Sequence, residues 1–252
     1  TISSPIWLEF LLYLLKIKPS KDTIPDIIIG AGSKTNIPML RHKLHKTTKV
    51  ISVMKPQFFL KKFDLILAPR HDFKSIPENV YTYIGSLAKV GISENLKDIG
   101  LIVIGGTNKH FDFNHKNILS QISFITSLYK ELDWIVFNSR RTPEKFNTAI
   151  KDNDEIKKFV NIDDNFEPLD NYISTAKIKF ITPDSVNMIF ESLSSSGETF
   201  LFEMQRFKDN KITMLVDEIK ANRYVGYLEN QNIEGSSIKK LSLSKPNNLH
   251  ET

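Results

Sequence analysis

Short apolar runs that end in turn chemistry punctuate the chain, and each run predicts a strand. Asp26-Ile27-Ile28-Ile29 leads into Gly30-Ala31-Gly32, Lys49 to Met54 into Lys55-Pro56, and Asp64 to Ala68 into Pro69-Arg70-His71-Asp72. Leu101 to Ile104 leads into Gly105-Gly106, Asp133 to Phe137 into Asn138-Ser139-Arg140-Arg141, and Lys177 to Ile181 into Thr182-Pro183-Asp184. A last run, Thr199 to Phe202, follows Gly197. Between them, residues 36–46, 117–132, 185–195 and 212–222 place apolar side chains near the helical period, as with Ile118, Ile122, Ile125 and Leu128. Continuous apolar strands alternating with amphipathic helices predict βαβ units and a parallel sheet covered on both faces.

A polar run at Gly91 to Asp98 precedes a fresh strand, so a domain boundary is expected there. The expected organisation is a first α/β domain over 1–95, a second over 96–229 and a flexible Ser-, Asn- and Lys-rich tail over 230–252. The segment Ile6 to Leu15 is intensely apolar but shorter than the ~20 residues of a spanning helix. It lacks the basic start and small-residue cleavage site of a signal peptide. Three readings fit it: a buried helix, a membrane-surface helix anchored by Trp7 and Tyr13, or a helix laid bare by loss of upstream sequence.

Composition narrows the chemistry. With no cysteine, disulfides, thiolate nucleophiles and Cys-based metal sites are excluded, which fits a reducing compartment such as the cytoplasm. The net charge of +5 favours anionic partners such as phosphates or acidic headgroups, or simply reflects solvated lysines. No basic stretch interleaves with aromatics, so nucleic acid is not an expected partner. The six histidines show no metal-ligand spacing, and no Gly-x-Ser-x-Gly elbow is present.

In an open parallel sheet, ligands sit beyond the carboxyl ends of the strands. At Thr182 to Glu191 a strand ends and a helix begins near Asp184 or Ser185, which reads as an anion site or as an ordinary cap. Two turns on, Glu191 suits a ribose diol, or faces solvent. Gly105-Gly106-Thr107-Asn108-Lys109-His110 allows close approach to a phosphate, with Lys109 and His110 neutralising charge, or forms a plain βα turn. Arg140 and Arg141 suit a forked contact to phosphate, or an ion pair with a neighbouring loop. Gly30-Ala31-Gly32 is part of a dinucleotide fingerprint without its third glycine. His71 beside Asp72 is a candidate general base with its carboxylate, although adjacent residues in a loop often point apart.

The order of these motifs resembles the mitochondrial-fission-factor-like family, whose bacterial members are regarded as glycosyltransferases, some tied to the outer core of lipooligosaccharide. The similarity runs over roughly residues 5–228. It implies a GT-B-like α/β fold of two Rossmann-type parallel-sheet domains, the first lacking its first strand. It also implies a nucleotide-sugar donor in the second domain and a lipid-linked or oligosaccharide acceptor, possible contact with the inner membrane surface, and no metal or cofactor beyond the nucleotide-sugar. By position, Gly105, Gly106, Lys109 and His110 would face the cleft, and Arg140 and Arg141 would lie beside the donor phosphates. Asp184, Ser185 and Glu191 would form the diphosphate and ribose site, with His71 or Asp72 as the acceptor base. The chain departs from the family in three places. It starts beyond an Asp-Gly-Arg-Ala-Gly-type loop, carries Asn165 to Tyr172 where a Gly-x-Asn-Pro-Tyr-like stretch is usual, and is short after Tyr227. An adaptor that keeps the fold without catalysis is the other function the resemblance implies, and an epimerase using the same donor pocket is a third.

Overall fold

The computed structural model describes residues 5–19, 24–88, 91–163, 167–232 and 239–247. Of the Asn165 to Tyr172 stretch, residues 165 and 166 therefore lie outside the described residues, as do 233–238 and 248–252 of the tail. By its internal contacts the chain forms two units, Thr1–Ser86 and Leu87–Thr252. The division falls before the polar run chosen from the sequence, because that run docks on the second unit. Ser93 N–H donates to Ser196 Oγ at 3.0 Å, and a Cβ on Gly91 would touch Ser174.

Unit 1 comprises helix α1 (Ile6–Leu14), strand β1 (Ile27–Ala31), α2 (Ser33–His42), β2 (Lys49–Val53), β3 (Leu65–Pro69) and β4 (Val80–Tyr83), with short 3-10 turns at Lys43–His45, Leu60–Lys62 and Arg70–Asp72. Its sheet is parallel throughout, and its strands lie in chain order, β1-β2-β3-β4. Gly32 turns the chain from β1 into α2 with φ +86°, a left-handed conformation that suits a residue without Cβ. The core is small: Met39, Leu40, Val50, Phe63, Ile66, Ala68 and Val80. Asp64 ties it together, accepting from Val50 N–H and Lys43 Nζ, each at 2.8 Å. Helix α1 is not the buried helix of the first reading. It turns its single charge, Glu9, inward to Arg41 of α2 at 2.6 Å and leaves Trp7 and Leu14 exposed.

Unit 2 comprises β5 (Lys97–Val103), α3 (His115–Leu128), β6 (Asp133–Phe137), α4 (Glu144–Lys151), β7 (Lys158–Val160), α5 (Asp170–Ile173), β8 (Ala176–Ile181), α6 (Val186–Leu193), β9 (Glu198–Leu201), α7 (Lys211–Ala221), β10 (Gly226–Asn232) and β11 (Lys239–Ser244). The sheet order is β11-β10-β9-β8-β5-β6-β7, parallel except for the β10–β11 pair. The expected flexible tail is thus corrected in part: Leu241 and Leu243 pack against the core, which draws β11 onto the sheet edge. Both faces are covered, and Phe180 stacks on Phe200 with ring centroids 4.9 Å apart. Lys179 points inward from β8 and is wholly buried. Its Nζ meets Ser192 O, Ser195 O and Oγ, and Ser196 O at 2.7–3.3 Å, which fastens the end of α6. Burial draws its pKa down to about 7, while the oxygens around it favour the ammonium.

Candidate functional site

Strand order places the site in unit 2. The chain runs outward from β5 to β6 and β7, then returns to lay β8 on the other side of β5. The order reverses between β5 and β8, so the loops leaving these two strands diverge and open a crevice at their carboxyl ends. The residues following β5 and β8 meet there: Gly105 N–H donates to the buried Thr182 Oγ1 at 2.7 Å. Beside this contact lies a cavity of about 420 Å³. Its walls are mostly apolar, including Phe137, Val160, Leu169 and Met188, while Ser139, Arg141 and Ser185 bring polar groups to it. An apolar pocket with a few convergent polar groups is the usual form of a small-molecule site.

Several of the expected site residues come together here. Gly105 and Ser185 line the cavity, and so does Arg141. Ser185 caps α6 by position, yet its side chain makes no capping bond, leaving the first-turn N–H groups of α6 for another acceptor. Gly106 is held by packing: a Cβ there would lie 2.1 Å from the Arg141 carbonyl oxygen, a backbone atom that cannot step aside. Ser139 Oγ donates to Gly105 O at 2.7 Å, Thr142 Oγ1 donates to the same oxygen, and Thr107 N–H reaches Arg141 O at 3.1 Å. The loops after β5 and β6 are thereby locked to each other.

Asp184 is the partner of the ion pair that the sequence left open for the arginines. Its side chain is fully buried, accepts from Gly106 N–H at 3.2 Å and pairs with Arg141 Nη2 at 2.9 Å. A carboxylate so placed repels a phosphate. Asp184 is therefore corrected from a diphosphate contact to the counter-ion that positions Arg141. Its Oδ1 is buried with no protein partner.

Glu191 lies on α6 one turn beyond the cavity-lining Met188. Its pKa is raised, first by burial and then by the charge of Asp170, itself a cavity residue. Lys109, His110 and Arg140 are not among the cavity residues, and Lys109 and Arg140 are exposed. Asn108 is the cause for the first pair. Its side chain accepts from His110 and Phe111 N–H and donates to Gly106 O, a local turn that carries the chain away. In unit 1, His71 Nε2 is 3.9 Å from Asp72 Oδ1, too far for the orienting hydrogen bond of a catalytic pair. Thr182, Ser139, Thr142 and Asn138 were missed as site residues. Asn138 bridges Asn147 and Asn161 with its amide nitrogen and accepts from Ile162 N–H, so it sets the cavity wall. Small polar residues directly after apolar strands are the signal that could have found them. Among the described residues, no three His, Asp or Glu side chains gather as a metal site.

Comparison with known proteins adds a family and a fold. A family model described as "Mitochondrial fission ELM1" matches residues 8–248. An uncharacterised Rickettsia prowazekii protein is 23% identical over 274 residues, covering 88% of this chain and 77% of that protein. The structure of accessory secretory proteins 1, 2 and 3 of Streptococcus pneumoniae is similar at a TM-score of 0.50 and 15% identity, over 84% of this chain and 48% of that one. MurG of Acinetobacter baumannii is similar at 0.44 and 10%, over 85% and 61%. The GtfA/B complex is similar at 0.46 and 10%, over 85% of this chain and 52% of that one, so this chain spans about half its length. The fold is α/β of the GT-B-like class, with a Rossmann-type parallel sheet in each unit.

Proposed function

This chain belongs to the mitochondrial fission ELM1 family, and from that premise we propose that it is a glycosyltransferase using a nucleotide-sugar donor bound in unit 2. The acceptor is a lipid-linked or oligosaccharide hydroxyl, with lipopolysaccharide core as its class, and the setting is cytoplasmic. The observation that carries this reading is the cavity at the strand-order reversal, with Arg141 and the uncapped start of α6 on one side and Glu191 beyond Met188.

In the proposed reaction the acceptor oxygen bonds to the anomeric carbon as the bond from that carbon to the diphosphate breaks. Negative charge builds on the departing diphosphate. Arg141 and the N–H groups of α6 stabilise it without a metal ion. Glu191 accepts from the ribose hydroxyls, and the apolar wall of Val160, Leu169 and Met188 receives the base. The hydroxyl proton passes to a general base.

One observation favours a second reading, an adaptor without catalysis. Arg141 and Gly106 N–H, the groups that would greet a phosphate, already hold Asp184. Calorimetric titration with UDP, GDP, CMP and their sugar conjugates separates the two. Saturable binding of one nucleotide, lost in Glu191→Ala, supports the transferase. Absence of binding to all of them transfers the reading to the adaptor.

A further inference from the structure

Helix α1 is amphipathic in the reverse of the usual sense. Its only charged residue, Glu9, faces α2 and is paired with Arg41, and its outward stripe is Trp7, Phe10, Leu11 and Leu14. These sit at i, i+3, i+4 and i+7, one helical face. They are large and open: Trp7 is 69% exposed, Leu11 45% and Leu14 56%. The apolar surface continues through Tyr13, whose ring meets Phe59 at 5.9 Å, to Phe58, which is 65% exposed. A soluble chain seldom displays a contiguous apolar patch of this kind without a use for it.

Charge says what covers it. Exposed Lys16 and Lys18 follow α1, and exposed Lys61 and Lys62 follow Phe58 and Phe59. Residues 1–86 carry thirteen Lys and Arg against six Asp and Glu, whereas residues 87–252 carry twenty-one against twenty-three. The basic excess of the whole chain thus resides in the unit that bears the apolar stripe. An uncharged apolar helix face bordered by lysines matches a surface with an apolar interior and anionic headgroups. A protein partner would match the stripe without needing the lysines. Among the described residues no helix is long and apolar enough to cross a membrane, so the contact is one of lying on the surface.

We propose that unit 1 docks on anionic lipid bilayers through the Trp7-Phe10-Leu11-Leu14 face of α1 and Phe58, with Lys16, Lys18, Lys61 and Lys62 reaching the headgroups. Neither Arg141 nor Glu191 takes part, so docking and nucleotide binding succeed or fail independently. Trp7 makes the test direct, since the only other tryptophan, Trp134, is buried. The full chain is mixed with phosphatidylcholine vesicles, with or without phosphatidylglycerol, and followed by sedimentation and tryptophan emission. The expected result is sedimentation and a blue shift with the anionic vesicles only, weakened by salt. Each of Lys61→Ala and Lys62→Ala should lower the partition about fivefold. Leu11→Ser, with an unchanged circular dichroism spectrum, should abolish the blue shift. No sedimentation with anionic vesicles overturns the proposal. So does binding that Leu11→Ser leaves intact, or a lipid-free dimer that Leu11→Ser dissolves, which would make a second copy the occupant.

Discussion

Both units build parallel sheets, yet the cavity described above lies in the second, and strand order explains why. In unit 1 the strands follow one another across the sheet, so successive connections travel the same way and none parts from its neighbour. In unit 2 the order turns back at β5 and β8, and the cavity opens where it turns. Burial follows the same divide. The second sheet sits inside one large core with stacked aromatics, while β1 of the first leaves Ile27 and Ile29 exposed. A continuous apolar strand therefore predicts a parallel sheet in both units, whereas the cavity follows from the reversal of strand order in unit 2.

The strongest way to break this contrast is at the glycines. Gly106→Ala forces a Cβ against the backbone of the locked loop and should cost about 3 kcal/mol, as overpacking does. Gly32→Ala in unit 1 meets open space, and its backbone conformation alone, φ +86° with ψ 159°, should cost about 2 kcal/mol. Urea unfolding of the two variants measures both, and equal losses would show that the β5 and β6 loops are not locked.

Next in size is the division between neighbouring arginines. Arg141→Ala should weaken nucleotide binding by about 2 kcal/mol, roughly thirtyfold, the scale of a charged hydrogen bond. Arg140→Ala should change it by less than about 0.5 kcal/mol, as for an exposed residue away from the cavity. Asp184→Asn should fall between them, since the poorer hold on Arg141 is partly offset by removing a carboxylate that repels the phosphate. Calorimetry on the three variants ranks them, and a large effect of Arg140→Ala would mean the loop is turned the other way.

Acid titration gives the smallest and most diagnostic effect, because the two units respond with opposite sign. Burial alone would raise the pKa of Asp64, but the hydrogen bonds from Lys43 and Val50, with the nearby charges of Lys43 and Lys49, outweigh it and hold the carboxyl below its ordinary value. The unfolded chain then binds the proton first, so this contribution is full above the ordinary Asp range and is lost as pH falls through the lowered value. Glu191 is raised by burial and by Asp170, so the folded chain holds its proton longer. Stability from this group declines as pH rises from the ordinary Glu range through the raised value. In Asp64→Asn the acid loss should shrink, and in Glu191→Gln the decline should vanish. Thermal melts across that range read both.

The sequence made the strands plain where they are central and apolar, as at Leu101 to Ile104 and Asp133 to Phe137. It hid β4 and β7, which are short edge strands, the latter starting at Lys158 with only Phe159 and Val160 behind it. Motif order was legible, and Gly105, Arg141 and Ser185 do gather. Loop direction was not. Whether Lys109 or Arg141 turns to the cavity depends on Asn108 closing a local turn and on Ser139 and Thr142 gripping Gly105, bonds that adjacency along the chain does not reveal. Asp184 was misjudged for the same reason, since its carboxylate turns to Gly106 N–H and Arg141 on the facing loops and not to the helix start. Lys179 reads as a surface lysine by alternation with Lys177, but a sheet covered on both faces leaves it nowhere to go except onto the carbonyl groups ending α6.

The central claim is that the reversal point of unit 2 is the nucleotide site. Amide chemical-shift mapping of the chain during titration with the tightest nucleotide tests it most directly. Gly105, Ser139, Thr182, Ser185 and Met188 should shift together and saturate at one dissociation constant. Shifts confined to unit 1, or around Lys109 and Arg140 with those five unmoved, would contradict it.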